Sequence, residues 1–169
     1  NTGVNAGLVI LAADDPSMFS SQNEQDSRNY AAFARVPMLE PADSAEAYEF
    51  IQRAFDISEE FDTPVMIRES MRIAHTKSLV SCSEERADVE LREFTPDPSK
   101  YVMMPMYARG RRQAVIERTR KLAELADTSG LNRIELRDTS IGIIASGAVY
   151  QHVREALPQA STLKLGLSW

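Results

Sequence analysis

Residues 7–16 read Gly7-Leu8-Val9-Ile10-Leu11-Ala12-Ala13 and then Asp14-Asp15-Pro16. An apolar run of this length with no polar alternation is the pattern of a strand buried on both faces of a parallel sheet. It places the chain in the α/β class. Beyond a polar loop, Ser21-Gln22-Asn23-Glu24 has capping-box form, a serine accepting from a free backbone N–H and a glutamate three residues on reaching back, which predicts a helix beginning near Gln22. Val36-Pro37-Met38-Leu39 is a short strand candidate. Asp43-Ser44-Ala45-Glu46 is a second cap, and Ala47, Phe50, Ile51, Ala54, Ile57 and Phe61 behind it mark one helix face. Asp62-Thr63-Pro64 breaks that helix, and Val65-Met66-Ile67 resumes as a strand, with proline tolerated at its start.

From Ser78 to Gly110 the periodicity fades and Pro96, Pro98 and Pro105 interrupt a charge-rich stretch, which reads as a surface linker. Arg111 to Asp127 recovers a helical pattern through Val115, Leu122, Leu125 and Ala126, with Gly130 as its stop. Ile141 to Ala145, a helix from about Ala148 to Leu157, and Leu163 to Leu167 then make a strand, helix, strand unit suited to a parallel crossover. The expected architecture is therefore two partial parallel-sheet α/β lobes, residues 1–77 and 111–169, joined by a linker over 78–110. The strands at Gly7 and Ile141 are expected in different sheets.

With 169 residues, 43% hydrophobic and 26% charged, the chain has the composition of a globular protein. Its apolar runs fall far short of the roughly 20 residues that span a bilayer, so no membrane role is expected. One cysteine, Cys82, excludes an internal disulfide framework and a cysteine-ligated cluster built by this chain alone, and fits a cytoplasmic setting. The formal charge of −6 argues against nucleic acid as a partner. Asn1 leads almost at once into a strand, and the chain stops at Trp169 directly after an apolar segment. Both ends are expected to continue in a longer polypeptide.

Open parallel sheets take ligands at the carboxyl ends of their strands, which directs attention to Ala13 to Arg28. Ser20, Ser21, Gln22, Asn23 and Arg28 there could hold a carboxylate or phosphate, although on residue types alone a cap and a solvated loop is the simpler reading. His75 and His152 lack metal-ligand spacing, and no metal site is expected. Cys82 has no identifiable base beside it and reads as an ordinary exposed thiol. Ser146-Gly147, between a strand and a helix, has the form of an anion site, although close packing explains a lone glycine as well. The basic cluster Arg109, Arg111, Arg112, Arg118, Arg120 and Lys121 reads as a solvated helix face, because Glu117 and Glu124 are interleaved with it.

The string from Ala12 to Arg28, with Val36-Pro37-Met38-Leu39-Glu40-Pro41, resembles the alpha subunit of the indolepyruvate:ferredoxin oxidoreductases. Leu131-Asn132-Arg133-Ile134-Glu135, Ile141 to Gly147 and Leu163 to Leu167 are similar to the start of that family's transketolase C-terminal-like domain. The resemblance implies that residues 1–77 are the second half of a pyrimidine-binding domain, and that Gln22, Asn23 and Arg28 are the candidate substrate-binding residues. In related pyruvate enzymes the carboxylate-binding arginine falls about one turn later than Arg28. The implied activity is oxidative decarboxylation of a 2-oxoacid to an acyl-CoA, with electrons passed to ferredoxin. Thiamine diphosphate, Mg2+ and iron–sulfur clusters are the implied cofactors; the remainder of the alpha subunit, a beta subunit, ferredoxin, coenzyme A and the 2-oxoacid are the implied partners. The upstream activating glutamate, the Gly-Asp-Gly type motif for magnesium and diphosphate, and the cysteine-rich segment are absent from this sequence, so the chain is expected to bind no cofactor and to be catalytically silent alone.

Two other readings stay open at this point. A non-catalytic interaction domain related to the enzyme would share the same residues. A signalling domain that accepts phosphate would use the acidic pair Asp14-Asp15 with a further aspartate after a central strand, yet Val65-Met66-Ile67 is followed by Arg68-Glu69.

Overall fold

The computed structural model of the chain describes residues 1–83 and 93–168; part of the expected linker, residues 84–92, and Trp169 lie outside the described residues. The elements run β1 (Val9–Asp14), α1 (Arg28–Ala34), β2 (Met38–Leu39), α2 (Ser44–Phe61), β3 (Val65–Ser70), α3 (Met71–Ala74), α4 (Pro98–Tyr101), α5 (Pro105–Thr128), β4 (Arg133–Glu135), β5 (Asp138–Ser146), α6 (Gly147–Ala156), β6 (Ala160–Leu165) and β7 (Leu167–Ser168). They form two small mixed sheets, ordered β1-β3-β2-β7 and β4-β6-β5. β1, β3 and β2 are mutually parallel, as are β5 and β6. β7 and β4 add antiparallel edges that the sequence pattern did not signal.

Alternation along the parallel strands sends their side chains to two faces of the first sheet. Leu39, Val65, Ile67 and Leu167 go to one face and meet Phe50, Ala54 and Ile57 of α2 and Leu122 of α5. Each such side chain contributes about 2 kcal/mol when fully buried. Met38 and Met66 go to the opposite face and pack on Ala31 of α1, with Ala12 at the margin. The sheet is thus covered by α2 and α5 on one side and by the shorter α1 on the other.

The structure corrects three local expectations. β1 is an edge strand and not a doubly buried one, with Ile10 42% and Leu11 63% exposed. No helix starts near Gln22. The backbone N–H groups of Phe19, Ser20 and Ser21 donate instead to the Asp15 carboxylate, so Ser21 caps nothing and the chain stays a loop until Arg28 opens α1. Helix α5 begins at Pro105 and not at Arg111, since proline at the first helical position loses no hydrogen bond there.

The second cap is present, with its geometry shifted by tertiary contacts. Asp43 accepts from the Glu46 N–H at 2.9 Å, while the Glu46 carboxylate accepts from the Ala42 N–H at 2.8 Å. That carboxylate also pairs with the ammonium of Lys164 on β6 and with Arg133 on β4 at 3.2 Å. Lys164 is fully buried and lies over the ring of Phe50. The amino end of α2 therefore ties the two sheets together. Gly166 carries the chain from β6 into β7, and a Cβ there would stand 2.4 Å from the Leu131 carbonyl oxygen, so only glycine fits.

At the other end of α2, Asp62 adopts a left-handed conformation with φ 52° and accepts from the Val4 N–H, from Lys100 at 2.8 Å and from Arg111 and Arg118 at 3.4 and 3.5 Å. Burial pushes the Asp62 carboxyl up, and Lys100, Val4 and Arg118 more than reverse it, leaving it below its ordinary value. Arg118 and Arg111 of the basic cluster thus turn inward, contrary to expectation. Arg120, paired with Glu117 and Glu124, keeps to the solvated face.

The Lys164–Glu46 contact is testable. Lys164→Met leaves Glu46 largely buried with Arg133 as its remaining cation and is expected to cost about 3 kcal/mol in urea denaturation of the chain. Adding Glu46→Gln is expected to restore part of that loss, because no buried charge is then stranded. Equal stability of Lys164→Met and the parent chain would refute the bridging role of this pair.

Candidate functional site

The carboxyl ends of the three parallel strands meet in one charged cluster. Ala12 stands opposite Arg68 and Leu39 opposite Ile67, so the next residue after β2, Glu40, comes to the side of Arg68. Arg68 Nε donates to Asp14 Oδ2, its Nη1 donates to Glu40 Oε1 at 2.5 Å, and its Nη2 lies 3.7 Å from Asp26 Oδ1. Asp14 and Glu40 are buried, and the Arg68 side chain is only 11% exposed. Two desolvated carboxylates need a cation at this point, and a forked guanidinium can serve both at once.

Asp14 reaches in a second direction. Its two oxygens accept from the Ser27 N–H at 2.7 Å and the Ser27 hydroxyl at 2.6 Å. Ser27 is the residue immediately before α1, yet its hydroxyl makes no bond to the helix it precedes. Helix α1 is thus anchored to the sheet at its start. Asp15, also buried, organises the loop between them. It accepts from Phe19, Ser20 and Ser21 at 3.0, 2.7 and 2.6 Å, and Ser17 and Met18 turn the chain through positive φ. The Ser20 N–H is the main cause of a carboxyl held below its ordinary value; burial opposes it, and the Ser21 and Phe19 N–H groups assist. Both members of the acidic pair are thereby occupied, Asp14 by Arg68 and Ser27, Asp15 by backbone. Neither is left as a free carboxylate for a magnesium ion of the signalling type.

Of the three candidate site residues, Arg28 alone lines the neighbouring cleft, while Gln22 and Asn23 are exposed on the loop away from its lining. Arg28 is the first residue of α1 and not two turns into a helix. It is 56% exposed and forms a two-pronged pair with Asp26, Nε to Oδ1 at 2.8 Å and Nη2 to Oδ2 at 2.6 Å. Nη1 of Arg28 has no partner among the described residues.

The cleft holds about 370 Å³. Asp15, Glu40, Arg68 and Ser70 face it from the strand ends of the first sheet, Arg28 from α1 and Arg72 from α3, and Ser146, Gly147, Ala148, Val149 and His152 face it from β5 and α6. Arg72 lies over the ring of Phe19 at 5.8 Å and has no carboxylate partner among the described residues. The Ser70 hydroxyl oxygen is buried and without a hydrogen-bond partner there. The Ser146-Gly147 turn sits on the cleft wall; Ser146 makes no side-chain cap, and no acidic residue occupies the first turn of α6. Its opening backbone N–H groups, with Arg28 and Arg72, offer donors to an anion, while the carboxylates of Asp15 and Glu40, which also line the cleft, are taken by backbone N–H groups and by Arg68.

His75 and His152 belong to no metal cluster: no group of histidine, cysteine, aspartate and glutamate that could hold a metal exists among the described residues. Cys82 is exposed, and no described helix is long and apolar enough to cross a membrane. Arg68 and Arg72 escaped sequence reasoning. The available signal for Arg68 was a charged residue ending the buried run Val65-Met66-Ile67 on the same face as Met66.

The Asp26–Arg28 pair has a pH signature. The Arg28 side-chain hydrogen bonds, ahead of an opposing burial effect and of the Arg28 N–H, bring the Asp26 carboxyl down to about 2. A carboxyl depressed in the folded state contributes stability that is complete above the unfolded value of ~3.9 and is lost as pH falls through the folded one. The Asp26 carboxyl carbon is expected to titrate well below ~3.9 in the chain and to return toward that value in Arg28→Leu. An unchanged midpoint in the variant would show that the pair does not form.

No family model matches the sequence. Curated relatives do. The chain is 44% identical to indolepyruvate oxidoreductase subunit IorA of Methanothermobacter marburgensis, over 99% of this chain and 28% of that protein. It is 40% identical to the IorA subunit of Methanothermobacter thermautotrophicus with the same coverage, and 40% identical to that of Thermococcus kodakarensis over 97% of this chain and 27% of that one. The chain therefore spans little more than a quarter of the length of the relatives it matches. Among solved structures, a 2-oxoglutarate:ferredoxin oxidoreductase from Magnetococcus marinus, with 2-oxoglutarate, coenzyme A and succinyl-CoA bound, shares the fold at a TM-score of 0.62 and 10% identity, over 95% of this chain and 37% of that one. Over nearly all of its residues, the chain is a relative of the indolepyruvate oxidoreductase IorA subunits, matching about 28% of their length.

Proposed function

We propose that the chain is part of the alpha subunit of a 2-oxoacid:ferredoxin oxidoreductase acting on indolepyruvate or another aryl pyruvate. The intact enzyme converts the 2-oxoacid and coenzyme A into an acyl-CoA and carbon dioxide and passes two electrons to ferredoxin through iron–sulfur clusters. Residues 1–77 are assigned to the pyrimidine-binding domain, 78–110 to a linker and 111–169 to the start of the transketolase C-terminal-like domain. The rest of the alpha subunit, the beta subunit and ferredoxin are the assigned partners, and the cytoplasm is the assigned compartment. The observation that carries this reading to particular residues is the cleft at the carboxyl ends of the parallel strands, lined by Arg28 and Arg72.

Thiamine diphosphate supplies the carbanion chemistry when bound. The described residues do not fit its magnesium and diphosphate, because the cleft carboxylates Asp15 and Glu40, and Asp14 behind them, are occupied by Arg68, Ser27 and backbone N–H groups and no metal-holding group exists among those residues. Those groups are assigned to parts of the complex outside this chain. What this chain contributes is a place for the substrate carboxylate. Arg28 has Nε and Nη2 held by Asp26, leaving Nη1 for the incoming anion, and Arg72, with no carboxylate partner among the described residues, adds a further positive charge to the lining. Gln22 and Asn23 lie on the loop that Asp15 shapes, outside the cleft lining, and are assigned no contact with an anion held in the cleft.

Two measurements test the proposal. In the full-length enzyme, Arg28→Lys is expected to raise KM for the 2-oxoacid about tenfold with little change in folding stability, since a lysine cannot both hold Asp26 through two bonds and reach the substrate. An unchanged KM would return Arg28 to a surface ion pair. The isolated chain, titrated calorimetrically with thiamine diphosphate and Mg2+, is expected to show no saturable binding at micromolar cofactor. Saturation in that range would place the cofactor site on this chain.

A further inference from the structure

Arg28 is the side chain assigned above to direct contact with the substrate carboxylate, yet it sits at the start of a helix of seven residues whose preceding residue, Ser27, makes no side-chain cap. Such a helix is marginal by itself, and its first residue would fray unless held from outside. Two holds are visible. Asp14 grips Ser27 through both the N–H and the hydroxyl, and Asp26 grips Arg28 through two parallel bonds. Both carboxylates face the guanidinium of Arg68, Asp14 in direct contact and Asp26 at 3.7 Å. The backbone around Arg28 and its guanidinium are therefore referenced to one buried group on β3.

We propose that Arg68 is a positioning residue, which sets the place and orientation of Arg28 through Asp14 and Asp26 and so tunes binding of the 2-oxoacid carboxylate without touching it. This deepens the Arg28 reading and rests on it. Arg68 is itself a poor candidate for a direct contact, because Nε and Nη1 are taken by buried carboxylates and Nη2 faces a third. Its charge is needed where it is: without it Asp14 and Glu40 would be buried, adjacent and unpaired. The geometry also explains why Ser27 gives its hydroxyl to Asp14 in place of a helix N–H, since Asp14 is the carboxylate that Arg68 immobilises.

The test uses the full-length holoenzyme with Arg68→Lys, Arg28→Ala and the double variant, measuring KM for the 2-oxoacid, kcat and thermal midpoint. A lysine keeps one positive charge in the cluster but cannot span Asp14 and Glu40 together, so Arg68→Lys is expected to fold. Expected are a rise in KM of about tenfold with kcat within about twofold of the parent, and a double variant no worse in KM than Arg28→Ala, since the effect of Arg68 passes through Arg28. A purely structural role would lower kcat by reducing the active fraction and leave KM in place. An unchanged KM in Arg68→Lys, or effects of the two substitutions that multiply in the double variant, overturns the positioning role.

If Arg28→Ala itself leaves KM unchanged, the Arg28 reading fails, and the positioning link is then decided by the nuclear magnetic resonance signal of the Arg28 Nε–H in the chain. Loss or a large shift of that signal in Arg68→Lys upholds the link, and an unaltered signal overturns it. Should Arg68→Lys fail to fold, Asp14→Asn serves in its place, because it keeps an oxygen for Ser27 while weakening the tie to Arg68; the same KM and kcat outcomes then apply.

Discussion

A single guanidinium, on Arg68, reaches the carboxyl ends of all three parallel strands of the first sheet. It belongs to β3, it holds Asp14 at the end of β1, and it holds Glu40 just beyond β2. Parallel strands that finish side by side bring their closing residues within a few ångströms, and in this chain two of the three are acidic. Without the cation between them the strand ends would repel in a poorly solvated place. Everything at this edge of the sheet then follows from the same centre: the loop that begins at Asp15, the start of α1, and the floor of the cleft.

The opposite wall of the cleft depends on a separate electrostatic contact. Glu46 at the amino end of α2 takes Lys164 from β6 and Arg133 from β4, and Asp43 beside it accepts from Gln151 of α6 at 2.8 Å. A helix packed on one sheet thus uses its first turn to locate the other. Tyr150 of α6 is fixed in turn by its hydroxyl, 2.5 Å from Glu135, and buried against Ala42 and Ala145. Pocket and fold are consequently not separable designs. The residues that join the sheets are also those that decide how far Gly147 stands from Arg28.

Much of this fold was legible in the sequence. The strands near Val9 and Val65, helix α2 with Asp43 at its start, and the parallel unit β5-α6-β6 all announce themselves by local pattern, because hydrophobic periodicity and caps act over only a few residues. What stayed hidden was tertiary. Ser21 to Glu24 satisfies a helix-start pattern, and the nearby carboxylate of Asp15 takes the Ser21 N–H that the Glu24 side chain would have capped. A two-residue strand such as Leu167–Ser168 has no period to detect and exists because Gly166 lets the chain cross between sheets. At the cleft, Arg28 was found through its neighbours in sequence. Arg68 was not, since its importance comes from Asp14 and Glu40, which are 54 and 28 positions away.

The edge position of β1 bears on how the chain behaves as a handled material. One side of this strand pairs with β3 and, among the described residues, no strand takes the other, while Leu11 stands mostly in water and Ile10 nearly half so. Unpaired backbone donors and acceptors beside exposed branched side chains are a template for another strand, and proteins normally blunt such a margin with charge, proline or a covering segment. Here Asp14 is turned inward to Arg68, so the strand's nearest charge does nothing to repel a visitor. Concentrated by itself, the chain carries its own seed for sheet-to-sheet growth, and its colloidal lifetime in the tube is governed by that margin more than by the strength of its core.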